Sequence, residues 1–324
     1  MKVHVLHENP EWYPPLAAAF DAAGVEHEQW LLGDGPLDLD EAPPAGVFWS
    51  RVSASAHTRD HPLAKEQARG LLSWLHAHQR RVVNGRAVLE LEVSKVDQLT
   101  ALRAAGLDVP RTIAVAGQAE LAAAARKLPV PFISKHNQGG KGLGVRKFDS
   151  HDDFDAYLAS AEFEPSVDGI TLLQEYLRAA QPRITRVEVV GGEFIYALTA
   201  DTAAGGFQLC PADACAVDSG AGVASGAGGT GLFALRSGFD HPVIGAYLDF
   251  ARQRGIEIAG FEFIETTDGR LVTYDINTTT NYNAGVEAAA PRPALPAVAQ
   301  FLGRVLAGEQ AGAGSPGAET AGRS

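Results

Sequence analysis

One stretch limits the folds open to this chain: Phe132-Ile133-Ser134-Lys135-His136-Asn137-Gln138-Gly139-Gly140-Lys141-Gly142-Leu143-Gly144-Val145. What flanks the glycines matters more than their number. A dinucleotide fingerprint needs a helix directly after its glycines, and a P-loop needs a Lys-Ser/Thr pair opening one. Here apolar, strand-like segments stand on both sides, ending in Arg146-Lys147-Phe148. The segment therefore reads as a β-loop-β flap with Lys135 at its root and Lys141 at its tip. Such a flap can close over phosphates, offering the backbone of Gly139, Gly140 and Gly142 plus two point charges. Taken alone, an ordinary hairpin loop with solvated lysines is the plain alternative.

The surrounding chain predicts mixed α/β architecture. Strand-like Lys2–His7, Val25–Leu32, Gly46–Val52 and Arg81–Asn84 alternate with helical Pro14–Ala23 and Pro62–Arg81, an open α/β domain ending near residue 90. Ser94 can cap a helix ended by Gly106, and Asp149 or Ser150 can cap one ending before Glu164. Thr112–Val115 is extended after Val109-Pro110, and Gln118–Leu128 is Ala-rich and helical. Arg186–Val190, Gly191-Gly192 and Glu193–Thr199 make a hairpin. Residues 219–231 hold little but small residues and read as a mobile loop, and helices are expected over Pro242–Arg254 and Pro293–Leu306. The expected division is 1–92, 93–177 and 178–307, followed by a disordered tail over 308–324.

The net charge of −12 argues against a protein that coats nucleic acid, and no basic stripe with interleaved aromatics offers a nucleic-acid surface. No run of about 18 uncharged apolar residues suggests a membrane span. Cys210 and Cys215 are too few for a disulfide framework or a Cys-rich zinc site, so a cytoplasmic, reduced protein is expected.

A second constellation is acidic. Phe261–Glu265 and Leu271–Ile276 are joined by an Asp268-Gly269 turn, so they pair antiparallel and Glu262 can lie across from Asp275. Asp275 and Asn277 are two apart and share a face. Two opposed carboxylates repel unless a cation lies between them, and a few protein oxygens completed by phosphate and water suit Mg²⁺. Carboxylates merely facing solvent near a turn are the alternative.

The order Lys95, Leu107-Asp108-Val109-Pro110, Lys135 with its flap, Leu173-Gln174-Glu175-Tyr176-Leu177, Arg186-Val187-Glu188, Glu262 and Asp275-Ile276-Asn277 resembles the ATP-grasp superfamily. Within it the chain is most similar to the branch of ribosomal-protein glutamate ligase, glutathione synthetase and D-alanine–D-alanine ligase. The likeness covers about residues 1–305 and is densest from Ser94 to Asn283.

The resemblance implies an ATP-grasp fold with an N-terminal open α/β domain, a central β-flap subdomain and a C-terminal antiparallel-sheet subdomain. It implies ATP and Mg²⁺, with Mn²⁺ as an alternative ion. Lys95 and Lys135 would contact the nucleotide, and Gln174, Glu175, Tyr176 and Leu177 would form the hinge at adenine. Arg186 and Lys141 would stabilise the transferred phosphate, and Glu262, Asp275 and Asn277 would hold the metal. The implied reaction joins a small-molecule or peptide carboxylate to an amine through an acyl phosphate, releasing ADP and phosphate, in a homodimer. A small-molecule kinase on the same fold and a nucleotide-binding regulator without turnover are the rivals.

Two positions depart from the pattern. Relatives commonly carry Asp and then Glu where this chain has Glu262 and Asp275, an exchange of side-chain lengths that still supplies oxygens. Ile184 stands where an acidic residue often precedes the arginine by two, and Glu188 is the candidate substitute on the same strand face. The polar run Thr278-Thr279-Thr280-Asn281-Tyr282-Asn283 could hold a substrate or simply be a bonded loop.

Overall fold

Lys2–His7 (β1) is buried along nearly its whole length, as expected of a strand covered on both faces. It pairs in parallel with His27–Leu31 (β2) on one side and Gly46–Arg51 (β3) on the other, and β3 with Arg81–Val83 (β4). The structure is a computed structural model that describes residues 1–33, 35–140, 142, 144–205 and 232–313. The helix Ala64–Ala77 covers one face of this sheet through Leu71, Leu72 and Leu75 against Leu6 and Phe48. The other face receives Leu16 and Phe20 of the helix Tyr13–Ala22, beside Val298 and Leu302 of the helix Ala294–Ala313. The far end of the chain thus completes the core of its beginning.

Two antiparallel sheets follow. Thr112–Ala116 (β5), Phe132–His136 (β6), Arg146–Phe148 (β7) and Ile170–Glu175 (β8) form one in the order β5-β8-β6-β7. Arg183–Val190 (β9), Glu193–Asp201 (β10), Phe233–Leu235 (β11), Ile258–Glu265 (β12) and Leu271–Asn277 (β13) form the other in the order β11-β10-β9-β12-β13. Val187 and Val189 of β9 point into its core against Tyr247 and Phe250 of the helix Val243–Arg254. Among the described residues no helix is long and apolar enough to cross a membrane.

Most elements form where the residue pattern places them, and the differences have local causes. The helix Ala64–Ala77 stops short of Arg81 because Gln79 takes a left-handed φ of 54° and Arg80 N bonds back to Leu75 O. The Ala-rich 118–128 stretch is helical only at Leu121–Ala125, where Leu121, Ala124 and Ala125 pack into the core, and Leu128 reaches the same core from the turn that follows. Alanine propensity does not hold so short a helix beyond its packed turn. Two short helices, Arg86–Val93 and Ala284–Ala289, had no clear sequence signal. The last helix continues to Ala313, into the tail expected to be disordered. The mobile loop proposed over 219–231 lies outside the described residues.

Candidate nucleotide site and comparison with known structures

The sheets meet around one cavity of about 490 Å³. At one end it is lined by Ile133, Lys135 and Lys147 and by the consecutive residues Gln174, Glu175, Tyr176 and Leu177. Strand pairing explains this end: β6 and β8 run side by side, so Lys135 lies opposite Leu172 and Ile133 opposite Gln174. Gln174 is buried, its amide donating to Thr112 Oγ1 at 2.8 Å. Glu175 is held at the Arg111 backbone, whose N–H donates to Oε1 at 2.8 Å. Lys147 was not singled out in the sequence; its Nζ sits 5.2 Å from the Tyr176 ring centroid, a cation–π arrangement on the cavity wall.

The flap root is fastened to the helix Lys95–Ala104. Asn137 Oδ1 accepts from Val96 N at 2.8 Å, and Lys95 N donates to Asn137 O at 3.2 Å. Ser94 caps that helix, its Oγ accepting from Asp97 N, as its sequence suggests. Gly139, Gly140 and Gly142 line the cavity. Gly144 has φ +73° and its Cα faces the His136 ring so closely that a Cβ would collide with it, which accounts for the last glycine. Lys141, the proposed flap tip, lies outside the described residues.

At the centre of the cavity, Glu262 of β12 stands opposite Asp275 of β13, and both line it together with Asn277. The hairpin is not regular. A bulge follows Glu262, so that Phe263 pairs with Thr273 and Tyr274 is the extra residue. Tyr274 consequently turns to the cavity beside Asp275 and donates to Glu262 Oε2 at 2.7 Å. Asp275 is ion-paired with Lys95, and Asn277 Oδ1 accepts from Thr279 N at 2.9 Å. Among the described residues no group of three or more His, Cys, Asp or Glu is arranged for a metal, so any divalent ion here would rest on two carboxylates and one amide oxygen.

Electrostatics at this point are strongly coupled. Burial works against the Lys95 ammonium, but Asp275 and Glu92 outweigh it and raise its pKa. Burial lowers Lys135 to about 8, and the neighbouring Lys95 pushes the same way. Burial raises Glu262 against the pull of Arg186. Glu92, on the cavity wall, is raised by burial to about 7, although Thr278 donates to it twice, at 2.7 and 2.8 Å.

Arg186, expected to stabilise the transferred phosphate, does not line the cavity. It is 2 % exposed and lies behind the cavity wall. Its Nε is 2.8 Å from Glu188 Oε1, Nη1 is 3.5 Å from Glu262 Oε1, and Nη2 donates to the hydroxyl of Thr280. Glu188 is fully buried in this pair and so is not placed to act for the missing acidic residue at 184. Ile184 itself lines the cavity as an apolar surface.

The far end of the cavity is formed by Trp12, Ser53, Ala54 and Ser55 facing Thr279 and Asn281. Ser53 and Ser55 follow β3 at the carboxyl end of the parallel sheet, next to the point where β1 has neighbours on both sides. Open α/β sheets form their crevices there. Arg59 stacks over Trp12 at 4.7 Å and pairs with the buried Glu8 at 2.6 Å. No sequence motif marked this end; its residues come from turns and gain meaning only by position.

No protein-family model matches the sequence, and no curated protein matches it. Solved structures match over nearly the whole chain. A RimK domain protein ATP-grasp from Sphaerobacter thermophilus is 19% identical, with 93% of this chain and 99% of that one covered at TM-score 0.63. D-cycloserine synthetase DcsG is 16% identical, with 94% and 99% covered at TM-score 0.62. The ATP-grasp ligase PsnB, complexed with minimal precursor, Mg and ADP, is 16% identical, with 93% and 96% covered at TM-score 0.61. Together with a glycine loop joining β6 and β7 of one of two antiparallel sheets and a parallel sheet ahead of them, this likeness assigns the chain the ATP-grasp fold.

Proposed function

We propose that the chain is an ATP-dependent carboxylate–amine ligase acting on an amino acid or peptide-like substrate. The observation that carries this reading is the continuity of one cavity. It runs from the Gln174–Leu177 segment, past Lys95, Lys135 and the Glu262–Asp275–Asn277 oxygens, to the neutral polar end at Trp12, Ser53, Ser55 and Asn281. A nucleotide and an organic substrate can thus meet with their reacting ends among charged groups. The ligase PsnB, with Mg and ADP bound, supports the choice of nucleotide and ion.

In this reading Gln174 to Leu177 hold adenine, and Lys135 and Lys95 neutralise phosphate oxygens. Glu262, Asp275 and Asn277 suit Mg²⁺ because all three present hard oxygen donors into the same cavity; when bound, the ion neutralises phosphate charge. Lys95 holds Asp275 ready in the meantime. The flap excludes water that would hydrolyse an activated carboxylate, and Lys141 adds charge at the transferred phosphate. A carboxylate oxygen attacks the γ-phosphorus and ADP leaves; the amine then attacks the acyl phosphate and phosphate leaves. Arg186 fixes a positive charge behind Glu262; a lysine's single nitrogen cannot meet Glu188, Glu262 and Thr280 together, so Arg186→Lys should slow the chemical step by roughly 10²-fold while changing ATP binding little.

The test begins with Mg·ATP and a metabolite and peptide mixture, with new amides identified by mass spectrometry. Labelling the substrate carboxylate with oxygen-18 should then deliver one labelled oxygen into inorganic phosphate. AMP and pyrophosphate as products would mean adenylate chemistry instead. A stable phosphorylated product with no amine requirement would mean a kinase.

A further inference from the structure

Arg186 lies beside a different group at each nitrogen: Nε is 2.8 Å from Glu188 as an ion pair without a hydrogen bond, Nη1 nears Glu262, and the Nη2 partner links two sheets. The Thr280 hydroxyl accepts from Arg186 Nη2 and donates to Glu188, lying 3.0 and 3.1 Å from its two oxygens. One hydroxyl has a single proton to give, so this arrangement uses it in one direction only. The Thr280 backbone is held from the other side: Arg51 Nη2 donates to its carbonyl at 2.8 Å and to Asn281 Oδ1 at 3.1 Å. Arg51 ends β3 of the parallel sheet, is 2 % exposed, and stacks 4.9 Å from the Trp49 ring centroid. Thr280 is 1 % exposed, so no water competes for its hydroxyl.

We propose that Thr280 is a positioning residue: its hydroxyl turns the Arg186 guanidinium so that Nη1 faces Glu262 from behind the cavity wall, while Arg51 holds Thr280 in place. The physical alternative for Arg186 is clear. Glu188 lies two residues along on the same strand face, and arginine favours a two-pronged pairing with a carboxylate. Without the Thr280 hydroxyl, Nη2 loses its buried partner and the fork is drawn onto both oxygens of Glu188, carrying Nη1 away from Glu262. Gly260, across the strand from Glu188, leaves the guanidinium room to lie where it does. The catalytic consequence rests on the ligase reading; the orientation does not.

Two measurements on the full chain separate them. In ¹⁵N-edited spectra the Arg186 Nε–Hε signal is assigned by its loss in Arg186→Lys. Thr280→Val should move that signal and speed its exchange with solvent, and Thr280→Ser should restore both. With the substrate pair found by mass spectrometry, Thr280→Val should lower kcat by about 10- to 100-fold with KM for ATP within about twofold, and Thr280→Ser should recover the rate. An unmoved signal in Thr280→Val overturns the proposal, as does a moved signal with unchanged kcat. Should the valine variant fail to fold, Arg51→Met, which removes the Nη2 donor to Thr280 O and Asn281 Oδ1, must displace the same signal or the proposal falls. A wild-type protein without turnover counts against the ligase reading alone, since the spectra still decide the orientation.

Discussion

Gly260 lies directly under the guanidinium of Arg186: a Cβ at position 260 would overlap Nε and Cζ. Its backbone is ordinary strand, so the need for glycine is steric and comes from a residue on the neighbouring strand. Gly260→Ala should therefore destabilise the protein by about 1–3 kcal/mol, the usual range for overpacking a filled interior. Turnover should fall further than Mg·ATP affinity, because the displaced group sits behind the cavity wall. Urea denaturation alongside calorimetric titration checks both halves.

Asp275→Ala removes one proposed metal oxygen and the ion-pair partner of Lys95. Turnover should drop by roughly 10²-fold or more even at saturating magnesium, with the far-ultraviolet circular dichroism unchanged. Asn277→Ala should lower turnover in the same direction. A near-normal rate in either variant would remove that residue from the ligand set.

The pH dependence follows from Lys135, which burial lowers to about 8 in the protein without ligand, against 10.5 for a free lysine. Between those values the folded protein has released a proton that the unfolded chain keeps. The stability of the ligand-free protein should therefore rise with pH across that window. Nucleotide phosphates favour the charged form, so Mg·ATP affinity should weaken as pH climbs past about 8, with proton uptake on binding. Titration calorimetry in buffers of different ionisation enthalpy measures that uptake; Lys135→Arg, always charged, should abolish it.

The flap is latched to the N-terminal part of the chain. Lys65 Nζ donates to Gln138 Oε1 at 2.7 Å, and the Gln138 amide reaches Ala54 O at 3.5 Å. Lys65→Ala should speed nucleotide dissociation about fivefold, the equivalent of one ordinary hydrogen bond of about 1 kcal/mol. Stopped-flow displacement of a fluorescent ATP analogue would show it. An unchanged off-rate would mean that the latch does not hold the closed flap.

Much of this was legible in the residues. The 2-residue period of β9 assigned Val187 and Val189 to the core and Arg186 and Glu188 to the opposite face, and the hairpin at Asp268-Gly269 set Glu262 against Asp275. Ser94 and Ser150 cap helices as their spacing predicts. Period, turn chemistry and capping are local, involving residues a few positions apart, so they leave their mark in a short window of sequence. What a side chain meets across the molecule leaves no such mark. One extra residue in β13 turns Tyr274 toward Glu262, and no alternation announces a bulge. That Arg186 is buried against Thr280, that Arg51 reaches a loop 229 positions away, and that the last helix covers the first sheet were decided by packing alone. Each such contact joins groups that the chain brings together only on folding, where desolvation favours the pairing of buried donors with acceptors.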